Sequence, residues 1–342
     1  MTWRMLAETA PHDRVWMAFP AGGYTLGATA GSAHEARRTW AAVAHAIADF
    51  EPVTMVVDPA ARADAARYLG GEIEIVVAPL NDSWMRDIGP SFVHDDAGRL
   101  GAVDWTFNGW GGQDWAAWEK DASVGRLVAD AAGAAVVSST LVNEGGGIHV
   151  DGEGTVLATR SVQLDPGRNP GASPASVEAE LRRTIGAKHV VWLPRGLTRD
   201  HERFGTRGHI DMVAALPSPG TILLHVQDDP GHPDYPLTHR FRSLLADAHD
   251  AAGRSFTIID LPAPATLRDD EGFVDYNYVN HLVVNGGVIA GSFGEERADS
   301  LARDVLTAAY PGRRVVSVDA RALFARGGGI HCITQQQPST PT

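Results

Sequence analysis

The chain has 342 residues, of which 44% are apolar and 21% are charged, a composition that excludes a disordered or fibrous protein. The formal charge of −13 makes nucleic acid and anionic membranes poor partners, because either would need a basic face. No apolar run approaches the roughly 18 residues of a membrane span, and no continuous apolar segment near the N-terminus indicates a secretory signal.

Short β runs and helices alternate along the chain in a recurring order. In the first long helix Ser32 and Glu35 have the spacing of a capping box, and a later helix has Ser173 before it and Gly186 after it. The pattern predicts, in chain order, strand 15–19, helix 32–50, strand 53–57, helix 59–69, strands 73–77, 89–93 and 101–105, helix 115–132, strands 135–138, 148–150 and 155–159, helix 174–185, strands 189–193, 209–216 and 221–226, helix 236–252, strands 255–261, 280–285 and 288–291, helix 295–310, and strands 314–318 and 330–334.

Apart from helix 59–69 and strand 73–77, which are extra, these elements form five strand–strand–helix–strand units. The fifth closes only if strand 330–334 pairs beside strand 15–19, which joins the two ends of the chain. Each unit is too small to bury a core of its own, so units packed around an axis would share one. A layered α/β protein with irregular crossovers is the alternative. No linker marks a boundary, and we predict one α/β domain over residues 1–342 with a frayed tail at 338–342.

Polar residues that are competent for catalysis recur near the start of the first strand of successive units. They are Asp87, Glu144, His209 with Asp211, Asn280 with His281, and Cys332. In a ring of units such positions converge, so a thiol, an imidazole and three carboxylates would meet in one pocket. Taken singly, each has a structural explanation: a buried cysteine, a hydrogen-bonded histidine, an ion pair or a turn residue.

A cysteine with a histidine and acids is the equipment of nucleophilic catalysis. Several carboxylates in the same pocket suit a planar guanidinium, whose N–H groups match carboxylate oxygens. Trp84 and Trp110 offer aromatic faces for such a cation, or pack in the core. Cys332 is the sole cysteine, which excludes a disulfide scaffold and fits a reducing, cytoplasmic location. The histidines lack a convincing metal-binding spacing, so the residues do not indicate a metal site.

Six motifs together resemble the agmatine deiminase family, which is also described as the Porphyromonas-type peptidyl-arginine deiminases. They are NDSWMRDIGPSFV (81–93), DWTFNGWGG (104–112), NEGGGIHVDGEGT (143–155), WLPRG (192–196), GHIDM (208–212) and GGGIHCITQQQP (327–338). The resemblance spans nearly the whole chain. It implies the pentein α/β-propeller, five ββαβ units around a pseudo-fivefold axis, and a homo-oligomer.

The resemblance also implies roles for individual residues. Cys332 matches the nucleophile and His209 the general acid/base, while Asp87 and Asp211 match the carboxylates that clasp the guanidinium. Glu144 matches a further acid that contacts substrate or orients the histidine.

Trp84 matches an aromatic wall beside the substrate, and Trp110 is a candidate for a second one. The implied reaction hydrolyses agmatine to N-carbamoylputrescine and ammonia through a covalent thiouronium on Cys332, without metal or cofactor.

The segment 262–277 looks shorter than in plant-like members of the family, and Met212 stands where a more polar residue is expected. These departures leave open another guanidino substrate, such as arginine or peptidyl-arginine. An amidinotransferase on the same type of fold is a second possibility. A ribosome-binding pentein without activity and a histidine-based metal hydrolase are further alternatives, and the cysteine–histidine–carboxylate set disfavours the ribosome binder.

Overall fold

The computed structural model describes residues 2–264, 267–269 and 272–340. In these residues the protein is of the α/β class, with short strands and short helices in alternation. The strands are β1 (Trp3–Arg4), β2 (His12–Ala18), β3 (Val53–Val57), β4 (Glu74–Val77), β5 (Ser91–Asp95), β6 (Leu100–Thr106), β7 (Ala135–Val142), β8 (Ile148–Val150), β9 (Thr155–Thr159), β10 (His189–Leu193), β11 (Ala214–Ser218), β12 (Thr221–Val226), β13 (Thr257–Pro262), β14 (Arg268–Asp269), β15 (Gly272–Phe273), β16 (Leu282–Val284), β17 (Gly287–Ser292), β18 (Arg314–Asp319) and β19 (Thr334–Pro338).

Helices of one to five turns connect these strands. They are α1 (Gly23–Leu26), α2 (Ala30–Ala48), α3 (Arg62–Leu69), α4 (Met85–Ile88), α5 (Gly109–Gly112), α6 (Val124–Ala131), α7 (Arg160–Gln163), α8 (Pro174–Ile185), α9 (Tyr235–Ala246), α10 (Glu296–Ala309) and α11 (Arg321–Phe324). Short 3₁₀ turns lie at Pro59–Ala61, Asp121–Ser123, Gly145–Gly147, Arg199–His201 and Ile210–Met212. No helix of the described residues is long and apolar enough to cross a membrane.

Five sheets in the described part of the chain share one pairing pattern: an antiparallel pair followed by a parallel pair. The parallel partners are joined through a helix, as a crossover between parallel strands requires. This confirms the strand–strand–helix–strand order. The sheets are β5-β6-β7 with β1 at the edge, β8-β9-β10, β11-β12-β13, β16-β17-β18, and β19-β2-β3 with β4 at the edge.

The two ends of the chain meet in one sheet, as predicted. β19 pairs antiparallel with β2, with Thr334 opposite Met17 and Gln336 opposite Val15. The strand starts at Thr334 instead of residue 330, because the preceding backbone bonds elsewhere: His331 N donates to Asn280 Oδ1, and Cys332 O accepts from the backbone of Arg86. The prediction of a frayed tail is wrong at Pro338, which lies in β19, and residues 341–342 are outside the described residues.

Several predicted boundaries are wrong for identifiable reasons. Residues 113–120 are not helical, and the predicted helix 115–132 is reduced to α6 with a 3₁₀ turn before it. The helix predicted at 32–50 begins at Ala30, and its capping box joins Thr29 and Ser32 in place of Ser32 and Glu35. Residues 209–213 precede β11 because the backbone N–H of His209 donates to the Asp200 side chain instead of a strand partner.

Central strands carry the core, and their burial explains their sequences. All five residues of β3 (VTMVV) and of β9 (TVLAT) are buried, which matches the continuous apolar runs of strands covered on both faces. Trp16 and Trp40 are among the largest fully buried side chains. The loops that precede the first strand of each sheet emerge from this core.

Candidate active site

The predicted site residues occupy equivalent places in the five sheets. Each stands just before the first strand of its sheet, in a loop or a short helical turn. Asp87 precedes β5 in α4, Glu144 precedes β8, His209 and Asp211 precede β11, Asn280 precedes β16, and Cys332 precedes β19. All of them are buried, and His209 and Glu144 have no measurable exposure.

Glycines of the two GGGIH motifs let these side chains approach the backbone. A Cβ on Gly146 would lie 2.5 Å from His209 Nδ1, 2.9 Å from Asp211 Oδ2 and 3.1 Å from Asp87 Oδ1. A Cβ on Gly328 would lie 2.6 Å from the Trp84 ring and 3.1 Å from Cys332 Sγ. A side chain at either position would therefore collide with the candidate site, which is a specific reason for glycine there.

His209 lies between two carboxylates. Its Nε2 is 3.1 Å from Glu144 Oε2, and its Nδ1 is 3.8 Å from Asp87 Oδ1 without a hydrogen-bond partner in the described residues. Arg168 Nε donates to both oxygens of Glu144 at 3.0 Å. The two Glu144 oxygens are thus occupied by Arg168 and His209, so this carboxylate is placed to orient the histidine.

The charges around His209 favour its imidazolium form. Burial would lower the pKa of His209, but the nearby carboxylates Asp87 and Glu144 outweigh it and raise the pKa to about 9. Burial would likewise raise the pKa of Glu144, but Arg168 and His209 lower it to about 2. At neutral pH the pair is an ionised carboxylate and a protonated histidine.

Of the two candidate guanidinium-binding carboxylates, Asp87 is the one whose ionised form is less stabilised. Its Oδ2 accepts from Trp110 Nε1 at 2.9 Å, and its Oδ1 accepts from Gly146 N at 3.3 Å. Burial raises the pKa of Asp87 to about 6, with His209 opposing and Glu144 adding to the shift. Its charged form is therefore less favourable than that of a carboxyl in water, although it predominates at pH 7.

Cys332 faces the other carboxylate. Its Sγ lies 3.7 Å from Asp211 Oδ2, and Asn280 Nδ2 donates to Sγ at 3.2 Å. Burial, followed by the negative charges of Asp211 and Asp87, raises the pKa of the Cys332 thiol well above its usual range. The empty site therefore holds a neutral thiol.

Asp211 presents a vacant acceptor to the site. Its Oδ2 lies 2.8 Å from His331 Nδ1, whereas Oδ1 is buried without a hydrogen-bond partner in the described part of the chain. Burial would raise the pKa of Asp211, but the hydrogen bond and charge of His331 outweigh it and lower the pKa. An ionised carboxylate with one free oxygen is suited to accept an N–H of a cation.

Aromatic side chains line the cleft that leads to the cysteine. Trp110 adopts a left-handed backbone with φ of 55°, stacks on Trp115 with ring centroids 5.3 Å apart, and points its Nε1 at Asp87. Trp84 packs edge-on against Trp40. The cleft is lined by Trp84, Asp87, Trp110, Trp115, Phe204, Thr206, Arg326, Gly327 and Cys332.

Sequence reasoning did not assign several residues that contact the site. Trp115 was placed in a helix, although it lies in a loop against Trp110. Asn280 stands at the same phase as the other site residues, and that spacing was the available signal for its contact with Cys332. Arg168, His331 and Glu8 carried no such signal. Of segment 262–277, residues 265–266 and 270–271 are outside the described residues.

This fold and site define a class: α/β proteins in which a buried cysteine, a histidine and several carboxylates converge. The chain belongs to the Porphyromonas-type peptidyl-arginine deiminase family, whose profile matches residues 4–338. A Streptomyces coelicolor protein provisionally named agmatine deiminase is 53% identical over 99% of this chain and 100% of its own. The agmatine deiminase of Pseudomonas syringae pv. tomato is 39% identical over 98% of this chain and 96% of its own. The solved agmatine deiminase of Enterococcus faecalis superposes with a TM-score of 0.93 at 32% identity, covering 99% and 96% of the two chains.

Proposed function

We propose that this protein is an agmatine deiminase that hydrolyses agmatine to N-carbamoylputrescine and ammonia. The observation that carries the proposal is the placement of a buried thiol beside a carboxylate with a vacant oxygen: Cys332 Sγ lies 3.7 Å from Asp211, whose Oδ1 is unpaired within the described residues. The names of the relatives support agmatine as the substrate.

Asp87 and Asp211 hold the guanidinium in this proposal. Both are buried, and the vacant Asp211 oxygen accepts a substrate N–H. Two carboxylates that accept different N–H groups of the guanidinium fix the plane of the cation and place its carbon at Cys332. Trp84 and Trp110 flank the cleft and supply the aromatic faces that attract a cation.

Substrate binding also activates the nucleophile. The Cys332 thiol has a raised pKa because it is buried and because Asp211 and Asp87 repel a thiolate. A guanidinium between those carboxylates neutralises the repulsion and lowers the thiol pKa, so the thiol ionises when its substrate is present. Little thiolate is therefore present before the substrate binds.

The reaction proceeds in two stages. The Cys332 thiolate attacks the guanidinium carbon, and the carboxylates stabilise the charge of the tetrahedral intermediate. His209 gives its proton to the leaving nitrogen, ammonia departs, and a thiouronium remains on the sulfur. His209, now neutral and oriented by Glu144, takes a proton from the attacking water. Collapse of the second intermediate expels the sulfur, which takes up the hydroxyl proton, so the ureido product leaves and the neutral thiol is restored.

Asp275 is our candidate for the amine end of the substrate. It lines a pocket that shares Phe204 and Gly327 with the catalytic cleft, together with Tyr24 and Tyr276. Burial, helped by the neighbouring carboxylates, raises the pKa of Asp275 to about 7. A primary ammonium placed there would offset this cost and would distinguish agmatine from substrates with a carboxylate tail.

We further propose that the five sheets surround a pseudo-fivefold axis in one catalytic domain, residues 1–342. The shared pairing pattern of the sheets and the closure through β19 and β2 support this arrangement. A homo-oligomer and a cytoplasmic location stay predictions, which sedimentation velocity and cell fractionation test.

A substrate screen tests the proposed activity. Ammonia release is measured with agmatine, arginine, peptidyl-arginine and guanidino acids, and Cys332→Ser serves as the matched control for background release. We expect agmatine to have the highest kcat/KM and N-carbamoylputrescine to be its product. A higher kcat/KM with arginine or peptidyl-arginine would contradict the substrate assignment. Product analysis with an added acceptor amine separates hydrolysis from amidine transfer, and undiminished turnover after exhaustive chelation eliminates a metal hydrolase.

A further inference from the structure

A second series of charged side chains reaches Asp211 through residues that do not line the cleft. His331 Nδ1 is 2.8 Å from Asp211 Oδ2, and His331 Nε2 is 2.7 Å from Glu8 Oε1. Arg86 Nη1 reaches the same Glu8 oxygen at 3.5 Å. Every member is buried, although Glu8 comes from the N-terminal segment and is 323 residues from His331.

The hydrogen-bond geometry requires a charged His331. Each of its ring nitrogens faces a carboxylate oxygen, and a neutral imidazole has one donor nitrogen and one acceptor nitrogen. Both contacts are favourable only when both nitrogens carry hydrogen. Burial and Arg86 lower the pKa of His331, but Glu8 and Asp211 outweigh them and raise it. Burial would raise the pKa of Glu8, but the charges of His331 and Arg86 hold it well below its usual range.

The groups around His331 come from several elements. Those that bear or could bear charge are Glu8 before β2, Arg86 in α4, His149 in β8, Asp211 in its 3₁₀ turn, His281 before β16, and Cys332 next in the chain. Burial lowers the pKa of His149 and of His281, the latter to about 4, so both are neutral near pH 7. The cluster therefore holds two cations and two anions: His331 lies between Asp211 and Glu8, and Arg86 contacts Glu8.

Glu8, His149 and His331 could also be read as a metal site, since one ligand atom from each lies within 4.8 Å of the others. Arg86 already places a cation against Glu8. A metal on His331 Nε2 would also displace the proton that bonds Glu8. The contacts therefore favour a hydrogen-bonded proton over a metal ion.

We propose that Glu8 and His331 are positioning residues that hold Asp211 ionised and turned with its free oxygen toward the guanidinium. This rests on the proposed function, in which Asp211 binds substrate. The N-terminal segment, which contains no catalytic motif, thereby becomes part of the active site.

The variant Glu8→Gln tests the charge with little change of shape. Its amide oxygen still accepts from His331 Nε2, but the negative charge is gone, so His331 loses its proton at lower pH and Asp211 is harder to ionise. We expect kcat/KM for agmatine at pH 7 to fall about tenfold, mostly through KM, and its alkaline limb to move down by about one pH unit, because His331 loses its proton earlier. His331→Asn keeps a donor for Asp211 and should lie between Glu8→Gln and His331→Ala.

His149→Asn is the matched control, because His149 packs in the same cluster but does not bond Asp211. The His149→Asn variant should leave the pH profile of kcat/KM unchanged, and KM and kcat as well, even if its melting temperature falls. A Glu8→Gln profile that coincides with wild type, or a His149→Asn profile that shifts equally, would overturn the positioning role.

A readout without substrate separates this proposal from the proposed function. Nitrogen-15 NMR of labelled histidines should show an imidazolium at pH 7 that disappears in His331→Asn and titrates at lower pH in Glu8→Gln. A neutral His331 in the wild type would refute the charge chain, even if agmatine is turned over. Absent turnover with an intact imidazolium signal would refute only the substrate assignment.

Discussion

Two series of contacting side chains, here called chains, meet at the cleft. Both consist of the same four residue types, but their histidines and aspartates differ in chemical behaviour. Each runs arginine, glutamate, histidine, aspartate: Arg168–Glu144–His209–Asp87 and Arg86–Glu8–His331–Asp211. In the first, His209 Nδ1 has no hydrogen-bond partner in the described residues. In the second, both ring nitrogens of His331 are bonded. A histidine with a free nitrogen can transfer a proton, whereas a fully bonded one supplies charge and orientation.

The two aspartates that end these series of side chains differ in pKa for the same reason. Asp211 has a short contact to a cationic imidazole, and its pKa lies below the usual range. Asp87 is 3.8 Å from His209, too far for a hydrogen bond, and burial raises its pKa to about 6. Identical residue types therefore yield one carboxylate that stays ionised and one that titrates near neutrality.

Replacing Cys332 by alanine should have the largest effect, because both chains serve this nucleophile. We expect no measurable ammonia release from agmatine, with stability changed by about 1 kcal/mol since only a small buried thiol is removed. Ammonia assays and thermal unfolding measure the two effects. Turnover at the parental rate would show that neither chain acts on a Cys332 thiolate.

The pair His209→Asn and His331→Asn compares the chains directly. Loss of the proton-transferring histidine should lower kcat by about 10³, within the range of general acid–base catalysis. Loss of the positioning histidine should mainly raise KM, by about tenfold. Steady-state kinetics of both variants with agmatine decide the point. Equal losses in kcat would mean that the two histidines do not differ in function.

The change Asp87→Asn should weaken activity and stabilise the empty protein. It removes a carboxylate that binds the guanidinium in the proposed mechanism, so we expect KM to rise and kcat to fall. In the folded wild type the pKa of Asp87 is raised from 3.8 to about 6, so the protein loses stability as pH rises through that window. The variant avoids this loss and should gain up to about 3 kcal/mol above pH 6. Chemical denaturation at pH 4 and pH 7 measures the gain, and unaltered kinetics would remove Asp87 from the site.

The smallest effect is expected for Trp110→Phe, which deletes the hydrogen bond from Nε1 to Asp87. Without it the pKa of Asp87 rises further, so the acid limb of kcat/KM should move up by about half a pH unit. Trp84→Phe is the control, because Trp84 lines the same cleft without bonding Asp87. An equal shift in both variants would assign the effect to cleft packing.

Local sequence patterns predicted an element correctly where its conformation depends on residues within or next to that element. Strands 155–159 and 189–193 and helix 174–185 coincide with the structure, because alternation, Ser173, Pro174 and Gly186 act within a few positions. The recurring phase also indicated that Cys332, His209 and the two aspartates converge, although Cys332, His209 and Asp211 lie before the strands in which they were predicted. Prediction failed at 113–120 and 209–213, where contacts with distant side chains decide the backbone.

The sequence by itself determined the alternating elements, their repeating order and the residue types available for chemistry, since these follow from periodicity and side-chain structure. Only the tertiary structure decided which histidine keeps a free nitrogen and which is held between two anions. That choice depends on Glu8 and Arg168, whose partners are selected by burial and distance in three dimensions. A buried charge needs a partner within a few ångströms, and spacing along the chain carries no information about that distance.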